Sequence, residues 1–321
     1  MTVLCFGEML IRLAPDTDTG LREAETLRPH VAGAEANVAI SLASLGTPAR
    51  MATVLPDNAL GARALHTLAA HGVGTQTCVR RPGRMGLYFI EAPRSGREGG
   101  FFYDRADTAF TRAATEIDWS EALRGVTWLH ISGLTAALGD VPVAAMRGAV
   151  AVARERGVAI SFDCNFRPQL WAGRSDDARA LIREFAEAAT LLFASDWDAR
   201  LILADDSAAQ ASLLDIFPDA RWIAMTRRTE VQGDPCLGAV LAGRRAICEI
   251  TPTLISPFVE RIGAGDAFAA ALLHALASDW DDPDALAFAH RACLRKHALP
   301  GDFSTLSATD ILSAERTVSA P

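Results

Sequence analysis

Lysine is nearly absent from this sequence of 321 residues. Of its 31 basic side chains, thirty are arginines and one is Lys296. This lysine stands in Arg295-Lys296-His297, so it cannot complete the GxxxxGK[ST] loop with which P-loop proteins bind phosphate. The same residue cannot also supply the strand lysine that protein kinases require. Apart from Lys296 itself, the cationic and N–H groups available to a phosphate ligand are therefore arginine side chains and backbone N–H groups.

Long basic runs and long apolar runs are absent as well. The chain has 39 acidic residues and a formal net charge of −8, which argues against nucleic acid or an anionic membrane as its main partner. Glu8 and Arg12 interrupt the apolar N-terminus, so we expect no secretory signal. The longest apolar stretch near the C-terminus, residues 267–277, is too short to span a bilayer. We therefore expect neither nucleic acid nor a membrane as a partner.

Paired cysteines are missing too. Six cysteines are scattered along the chain without a CxxC pair or the spacing of a metal site. In a chain of this size, such cysteines are typical of reduced and mostly buried thiols. This pattern predicts a cytoplasmic protein.

Short apolar runs alternate with longer amphipathic ones along most of the chain. The short runs predict strands at residues 3–6, 51–54, 127–131, 159–163, 191–194 and 223–226. The longer ones predict helices at residues 36–45, 60–70, 143–156, 178–189, 213–217, 267–277 and 285–297. This alternation indicates βαβ units and an α/β fold, with a mostly parallel sheet covered on both faces.

Two segments near the N-terminus interrupt the alternation. The first follows the first strand, and the second places Leu87-Tyr88-Phe89-Ile90 and Phe101-Phe102-Tyr103 on either side of a turn at residues 94–100. The second segment is typical of a β-hairpin. We expect residues 9–31 and 84–107 to form a small β-sheet lid. Residues 1–8, 32–83 and 108–321 would then form the α/β core that binds the ligands.

The motif Arg261-Ile262-Gly263-Ala264-Gly265-Asp266-Ala267-Phe268 opens one of the predicted helices. Glycines directly before a helix expose backbone N–H groups at the positive end of its dipole, where a phosphate or an oxyanion is favoured. Asp266 could accept the proton of a hydroxyl group held at the same place. From these residues alone, a plain glycine-containing loop with a helix-favouring aspartate is an equal alternative. The missing third glycine excludes a dinucleotide fingerprint.

This motif is accompanied by other ordered segments, among them Phe6-Gly7-Glu8, Gly33-Ala34-Glu35-Ala36-Asn37-Val38-Ala39, Tyr103-Asp104-Arg105, Asp163-Cys164-Asn165-Phe166-Arg167-Pro168 and Pro300-Gly301-Asp302-Phe303. With them, the chain resembles the PfkB (ribokinase-like) family of carbohydrate kinases over nearly its whole length. Within that family it is most similar to the 2-keto-3-deoxygluconate kinases. The resemblance implies a ribokinase-like three-layer α/β/α sandwich, with a mostly parallel central sheet and a small β-sheet lid.

The resemblance also implies a reaction and the residues that perform it. The reaction is ATP-dependent phosphorylation of a sugar hydroxyl, with Asp266 as the base and an anion hole formed by Gly263, Ala264 and Gly265. The sugar would be bound by Gly33, Asn37, Tyr88, Tyr103, Arg105, Arg167 and Asp302. The nucleotide would be bound by Asn165, Ser195, Thr226 and Arg227. Mg²⁺ would arrive with ATP and have no direct protein ligand, with Asp198 bound to it through water.

The residues on the sugar side favour an acid. Planar guanidinium groups bind a carboxylate through two hydrogen bonds, and tyrosine hydroxyls add directional donors. Arg105 and Arg167 therefore favour 2-keto-3-deoxygluconate, phosphorylated at its terminal hydroxyl, over a neutral hexose. Fructose, 2-keto-3-deoxygalactonate and an aminosugar remain alternatives. Arg105 could instead be a solvated hairpin residue, and Arg167 could contact nucleotide phosphates.

Some positions depart from the family pattern. The family's N-x-x-E element is Ser195-Asp196-Trp197-Asp198 here, and its glycine pair near the sugar is Ala32-Gly33. The shorter carboxylate changes the reach of the oxygen ligands, so a sugar- or nucleotide-binding regulator that has lost turnover stays open. Lys296 either contacts a ligand or charges the last turn of its helix, and we favour the second. The resemblance also implies a homo-oligomer, a dimer through the lid or larger.

Overall fold

The computed structural model describes residues 1–15, 20–91, 100–204 and 212–313. Its strands are β1 Val3–Phe6, β2 Leu10–Pro15, β3 Leu27–Ala32, β4 Ala49–Pro56, β5 Cys78–Arg81, β6 Gly86–Glu91, β7 Gly100–Asp104, β8 Trp128–Ser132, β9 Ala159–Asp163, β10 Leu191–Phe193, β11 Trp222–Val231, β12 Asp234–Gly243 and β13 Ile247–Leu254.

The helices in the same residues are α1 Ala34–Ser44, α2 Ala59–Ala70, α3 Ala109–Ala113, α4 Trp119–Ala122, α5 Gly133–Ala136, α6 Asp140–Glu155, α7 Pro168–Trp171, α8 Ser175–Ala186, α9 Asp196–Leu203, α10 Ser212–Ile216, α11 Ala264–Leu276, α12 Asp282–Lys296 and α13 Ala308–Leu312. A single 3₁₀ turn, Ala114–Glu116, follows α3 in the described chain.

The larger sheet has the strand order β13-β12-β11-β10-β9-β8-β1-β4-β5. Neighbouring strands from β11 to β5 are parallel, whereas β12 and β13 extend the sheet in antiparallel fashion. Parallel neighbours need long crossover connections, and the helices between the strands supply them. The mostly parallel α/β sheet predicted from the sequence is confirmed.

Helices cover both faces of this sheet. On β1, Leu4 and Phe6 belong to one hydrophobic core, while Val3 and Cys5 belong to another on the opposite face. Successive side chains of a strand point to opposite faces, so a strand buried on both sides reads as a continuous apolar run. The arrangement is the predicted three-layer α/β/α sandwich.

A separate sheet with the order β3-β2-β6-β7 forms the lid. The predicted hairpin is present as the antiparallel pair β6–β7, in which Tyr88 lies opposite Tyr103. The intervening turn at residues 94–100 lies almost wholly outside the described residues. The predicted small sheet is confirmed, whereas the exact domain boundaries at residues 9–31 and 84–107 stay a prediction.

None of the helices described in the structure is both long and apolar enough to cross a membrane.

Candidate active site

A cavity of about 740 Å³ lies between the carboxyl ends of β9, β10 and β11, the start of α11 and the lid sheet. This is the edge at which open α/β sheets bind ligands. Most of the residues predicted from the sequence line it, namely Gly33, Asn37, Tyr88, Tyr103, Arg105, Asn165, Arg167, Ser195, Asp198, Thr226, Gly263, Gly265, Asp266 and Asp302. The fold thus brings together residues that are up to 269 positions apart in the sequence.

The start of α11 presents backbone N–H groups to this cavity. Gly263 precedes the helix with φ of 70°, and a Cβ atom there would lie 1.9 Å from the carbonyl oxygen of Asp302, so only glycine fits. No side chain caps the helix. Uncapped first-turn N–H groups and the helix dipole together favour an anion. The side chain of Ala264 is buried in the core, so this residue could contribute only its backbone.

Asp266 lies in the first turn of α11, with its carboxylate in the cavity. Its Oδ2 accepts a hydrogen bond of 2.7 Å from Nδ2 of Asn37. Burial raises the pKa of Asp266 to about 7, because the Asn37 hydrogen bond and the charge of Arg167 offset it only in part. A carboxyl group with this pKa can exchange a proton near neutral pH, as a general base must.

A further carboxylate, Asp163, stands at the end of β9 in the same cavity. Its Oδ1 accepts a hydrogen bond of 3.0 Å from the backbone N–H of Asn165. Burial and the negative charges of Asp266 and Asp198 raise the pKa of Asp163 to about 8, and the charge of Arg167 opposes this rise. No role is predicted for Asp163 from the sequence, although a carboxylate at the end of a buried strand is the available signal.

Ser195 and Asp198 are bound to each other at the start of α9. Ser195 donates from its backbone N–H and its hydroxyl to Oδ2 of Asp198, at 2.7 and 2.6 Å, and its hydroxyl accepts from the Asp198 N–H at 3.2 Å. This reciprocal pairing is a capping box. Ser195-Asp196-Trp197-Asp198 therefore begins helix α9, and Oδ2 of Asp198 already accepts hydrogen bonds within this element.

The acidic side of the cavity suits a magnesium ion that arrives with phosphates. Mg²⁺ in nucleotide sites is typically held by one or two carboxylates, phosphate oxygens and waters. Asp163 and Asp198 offer two such carboxylates, and the described residues contain no group of three or more His, Cys, Asp or Glu side chains that could hold a metal without the nucleotide. The residues present thus fit the ion as part of a nucleotide complex.

Arg105 reaches the cavity from the end of the lid hairpin and is only 8% exposed. Its Nε lies 2.7 Å from Oε2 of Glu8, which is also buried, and Oε1 of Glu8 accepts a hydrogen bond of 2.5 Å from the hydroxyl of Thr108. A buried ion pair holds its members in a fixed geometry. Arg105 is therefore not a solvated hairpin residue, and Glu8, which the sequence analysis did not place in the site, orients it.

The other end of the sugar side is formed by Asp302. The hydroxyl of Tyr88 donates to its Oδ1 at 3.0 Å, and the Arg12 guanidinium lies 2.8 Å from its Oδ2. Burial raises the pKa of Asp302, while the charge of Arg12 and the Tyr88 hydrogen bond lower it. Sequence reasoning missed Arg12, whose partner lies 290 positions away in the chain.

Arg227 does not line the cavity, in contrast to the prediction. Its Nη1 donates to Oε1 of Glu249 at 2.7 Å on an exposed face of the sheet. Alternation along β11 explains the error, because Thr226 and Arg228 share the face that points into the cavity and Arg227 lies on the other. Arg228 is the arginine of this segment that reaches the site.

Lys296 is completely buried at the end of α12. Its Nζ donates to the carbonyl oxygens of Leu299 and Gly301 at 3.1 and 2.7 Å. The expectation of a charge in the last helical turn is thus refined: the lysine binds the loop that follows its helix and leads to Asp302.

A second cavity of about 520 Å³ adjoins the first and shares Arg228 and Arg261 with it. Its other walls include Ile255, Phe258 and His297. Arg261 also lies over the ring of Phe101 in the lid, with its guanidinium carbon 5.8 Å from the ring centroid. The two arginines therefore stand between a mixed apolar cavity and the cavity that contains Asp266.

Comparison with known proteins assigns the family. A model described as pfkB family carbohydrate kinase matches residues 1–293. A 2-dehydro-3-deoxygalactonokinase of Haloferax volcanii is 29% identical, over 96% of this chain and 95% of that protein. Fructokinase-2 of Oryza sativa subsp. japonica is 28% identical, over 86% of this chain and 80% of that protein.

Solved structures give the same result. The crystal structure of a 2-dehydro-3-deoxygluconokinase from Thermotoga maritima has a TM-score of 0.89 at 32% identity, with 98% of this chain and 99% of that chain covered. The family predicted from the sequence motifs is thereby confirmed. The chain belongs to the pfkB family of carbohydrate kinases and is a sugar phosphotransferase.

Proposed function

We propose that this kinase transfers the terminal phosphoryl group of ATP to the terminal hydroxyl of 2-keto-3-deoxygluconate. Asp266 accepts the proton of the attacking hydroxyl, and the backbone N–H groups of Gly263, Ala264 and Gly265 bind the charge that develops on the phosphoryl group. The lid excludes water, which would otherwise compete as an acceptor. The presence of a carboxyl group with a pKa of about 7 at an uncapped helix start carries this proposal.

The substrate class rests on the cations and phenols of the cavity. Arg105 and Arg167 line it together with Tyr88 and Tyr103, the only two tyrosines in the chain. Because Glu8 binds the Nε edge of Arg105, the guanidinium is oriented before the substrate arrives. Arg167 faces the carboxylates of Asp163, Asp198 and Asp266, whose pKa values it lowers. We therefore assign Arg105 to the substrate carboxylate and give Arg167 a shared role beside the phosphates.

The nucleotide fits the second cavity and its junction with the first. The apolar walls formed by Ile255 and Phe258 suit a nucleoside, and Arg228 and Arg261 suit its phosphates. Thr226, Ser195 and Asn165 would line the path to Asp266. When bound with ATP, Mg²⁺ would neutralise phosphate charge, with Asp163 and Asp198 as the nearby carboxylates.

We further propose that the protein is cytoplasmic, since all six cysteines are free thiols. We also propose that it forms a homo-oligomer.

A second substrate, 2-keto-3-deoxygalactonate, is supported by the relative from Haloferax volcanii. It differs from 2-keto-3-deoxygluconate in the orientation of one hydroxyl group and carries the same carboxylate. The same arginines would therefore serve both sugars. Fructose lacks the carboxylate, so it makes no use of the oriented guanidinium of Arg105.

Replacement of Asp266 by Asn tests the proposed chemistry. We expect kcat to fall ~10³-fold, because the amide cannot accept the proton, while the Kd for ATP changes less than ~3-fold. ADP release measures the first quantity and calorimetry the second. Asp284, which occupies the first turn of α12, provides the matched control, and Asp284→Asn should leave kcat unchanged. Wild-type turnover in Asp266→Asn would refute its role as the base.

Replacement of Arg105 by Ala tests the substrate class. We expect KM for 2-keto-3-deoxygluconate to rise ~100-fold, since a charged hydrogen-bonding partner of the carboxylate is lost, and KM for fructose to rise much less. Arg84, which pairs with Asp104 on the exposed side of the same hairpin, is the control: Arg84→Ala should leave both KM values unchanged. Equal increases for the two sugars in Arg105→Ala would contradict the assignment.

A further inference from the structure

A buried arginine of the lid holds the sugar end of the cavity in place. Arg12 on β2 is the register partner of Tyr88 on β6, which in turn lies opposite Tyr103 on β7. Register partners in neighbouring strands share a face of the sheet, so Arg12 continues the row of the two cavity-lining tyrosines. Arg12 is 4% exposed and is not among the residues that line the cavity. It can therefore act on a substrate only through other residues.

Two carboxylates of the core share the guanidinium of Arg12. Nη1 lies 2.5 Å from Oε1 of Glu260, and Nε lies 2.8 Å from Oδ2 of Asp302. The other oxygen of Glu260 accepts a hydrogen bond of 2.8 Å from the backbone N–H of Gly301. Arg12 thus ties a lid strand both to the side chain of Asp302 and to the backbone of the residue before it.

This connection continues to the anion hole. The carbonyl oxygen of Asp302 packs against Gly263, where a Cβ atom would overlap it. Lys296 also donates a hydrogen bond to the carbonyl of Gly301. A shift of the Asp302 loop would therefore move both a sugar-binding carboxylate and the glycine that begins α11.

We propose that Arg12 is a positioning residue for phosphoryl transfer, which fixes the Asp302 carboxylate toward the sugar hydroxyls. This inference rests on the proposed function, which assigns Asp302 to the sugar. Arg12 does not touch the reacting atoms. Its removal should therefore affect sugar binding through Asp302 and leave nucleotide binding intact.

The charges around Asp302 give the proposal a pH signature. Arg12 from β2, Tyr88 from β6, Glu260 before α11, Asp266 in α11 and Lys296 in α12 all face or influence this carboxyl group. Burial raises the pKa of Asp302, and Arg12 is the largest opposing influence. Without Arg12 the pKa of Asp302 rises further, which favours its protonated form. In Arg12→Gln, KM for the sugar should therefore fall as the pH is raised from 6.5 to 8.5.

A double-mutant cycle of Arg12→Gln and Asp302→Asn tests the proposal. Arg12→Gln alone should raise KM for the sugar ~10-fold or more and change KM for ATP less than ~2-fold. In the Asp302→Asn background, Arg12→Gln should raise KM for the sugar less than ~3-fold, because its target is already lost. Arg12→Lys should raise KM for the sugar less than Arg12→Gln does, because lysine keeps the positive charge but cannot contact both acids. Arg147→Gln, which breaks an exposed arginine–glutamate pair far from the cavity, should match wild type.

Several results would overturn the proposal. One is an equal increase in sugar KM from Arg12→Gln in the wild-type and in the Asp302→Asn backgrounds. Another is an increase in KM for ATP as large as that for the sugar. The third is a sugar KM of Arg12→Gln that does not depend on pH. If Arg12→Gln does not fold, as judged by its thermal transition, Arg12→Lys carries the test. Equal increases in sugar KM from Arg12→Lys with and without Asp302→Asn would then overturn the proposal.

The cycle is run on whichever sugar the wild-type enzyme phosphorylates. Activity on fructose but not on 2-keto-3-deoxy acids would contradict the proposed function and still leave Arg12 testable. Activity on the acids with an unchanged Arg12→Gln variant would contradict only the role of Arg12.

Discussion

At the residue scale, Asp266 is an acid adapted by its surroundings to act as a base. An exposed aspartate has a pKa near 4 and is a weak proton acceptor. Burial brings the pKa of Asp266 to about 7, and the hydrogen bond from Asn37 prevents a larger rise. A catalytic group works best when its pKa lies near the operating pH. The burial of its carboxyl group away from water therefore supplies the basicity that an aspartate normally lacks.

The pH dependence of turnover follows from this pKa. The ionised form of Asp266 is the active base, so kcat should rise with pH and level off above a midpoint near pH 7. The Asn37 hydrogen bond stabilises the ionised form. Asn37→Ala should therefore move the midpoint to higher pH. The measurement is kcat at saturating substrates between pH 5.5 and 8.5, and a flat wild-type profile over this range would contradict the assignment.

The helix dipole explains the position of Lys296, the single lysine of the chain, only in part. A cation near the end of a helix is favourable, and Lys296 indeed lies in the last turn of α12. Its complete burial, however, requires that its donors be satisfied, and two carbonyl groups of the following loop do so. The loop that carries Asp302 is thereby fixed to the helix.

At the element scale, the start of α11 depends on a glycine that no other residue can replace. A side chain at Gly263 would both strain a positive φ and overlap the carbonyl of Asp302. The resulting shift would move the N–H groups away from the phosphoryl group. The loop and the helix therefore form one unit, whose geometry determines the anion hole.

Gly263→Ala and Gly125→Ala separate these two effects. Gly125 also has φ of 70°, but a Cβ atom there would meet no neighbour within 4 Å. Gly263→Ala should lower kcat ~100-fold through loss of oxyanion donors. Gly125→Ala should leave kcat unchanged and lower the free energy of unfolding by ~1 kcal/mol. Kinetics and chemical denaturation measure the two outcomes, and equal kcat values for both variants would contradict the role of the loop.

The sequence predicts the larger helices well, but places their starts too late. α6, α8, α11 and α12 each begin three residues before the predicted helix. The pattern used for prediction is the apolar face, whereas a first turn is often built from capping and polar residues that do not follow it. In α11 this displacement matters, because the first turn contains Gly265 and Asp266.

The antiparallel strands β12 and β13 were not predicted. They extend the sheet beyond β11. Residues 236–243 of β12 are buried, whereas β13 is the edge strand, and all eight of its side chains are half-buried or exposed. An edge strand lacks the continuous apolar run that marks a central strand, so its signal is weak. The error at Arg227 has a different cause, since side-chain alternation along β11 determines which of its arginines faces the cavity.

At the scale of the whole molecule, the site exists only where the lid and core meet. Asp266 and the nucleotide-side residues follow strands or begin helices of the core, and local motifs were sufficient to identify them. Glu8, Arg12 and Glu260 act through ion pairs between segments 97 to 290 positions apart. Such pairs have no local signal, so only the folded chain identifies them.

At this scale, the net charge of the chain does not describe the charges that line the cavity. The net charge of −8 describes an acidic surface that would repel anions at a distance. The cavity instead gathers Arg105, Arg167, Arg228 and Arg261 around its opening and walls. Because lysine is so scarce, these guanidinium groups and the start of α11 are the sites available for a carboxylate and for phosphates.

The most direct test of the proposed function is the substrate preference of the wild-type enzyme. ADP release is measured with ATP, Mg²⁺ and, in turn, 2-keto-3-deoxygluconate, 2-keto-3-deoxygalactonate, fructose and an aminosugar. We expect kcat/KM for the two acids to exceed that for the neutral sugars ~100-fold or more, because only the acids engage Arg105. Equal or greater kcat/KM for fructose would contradict the assignment of a sugar acid as the substrate.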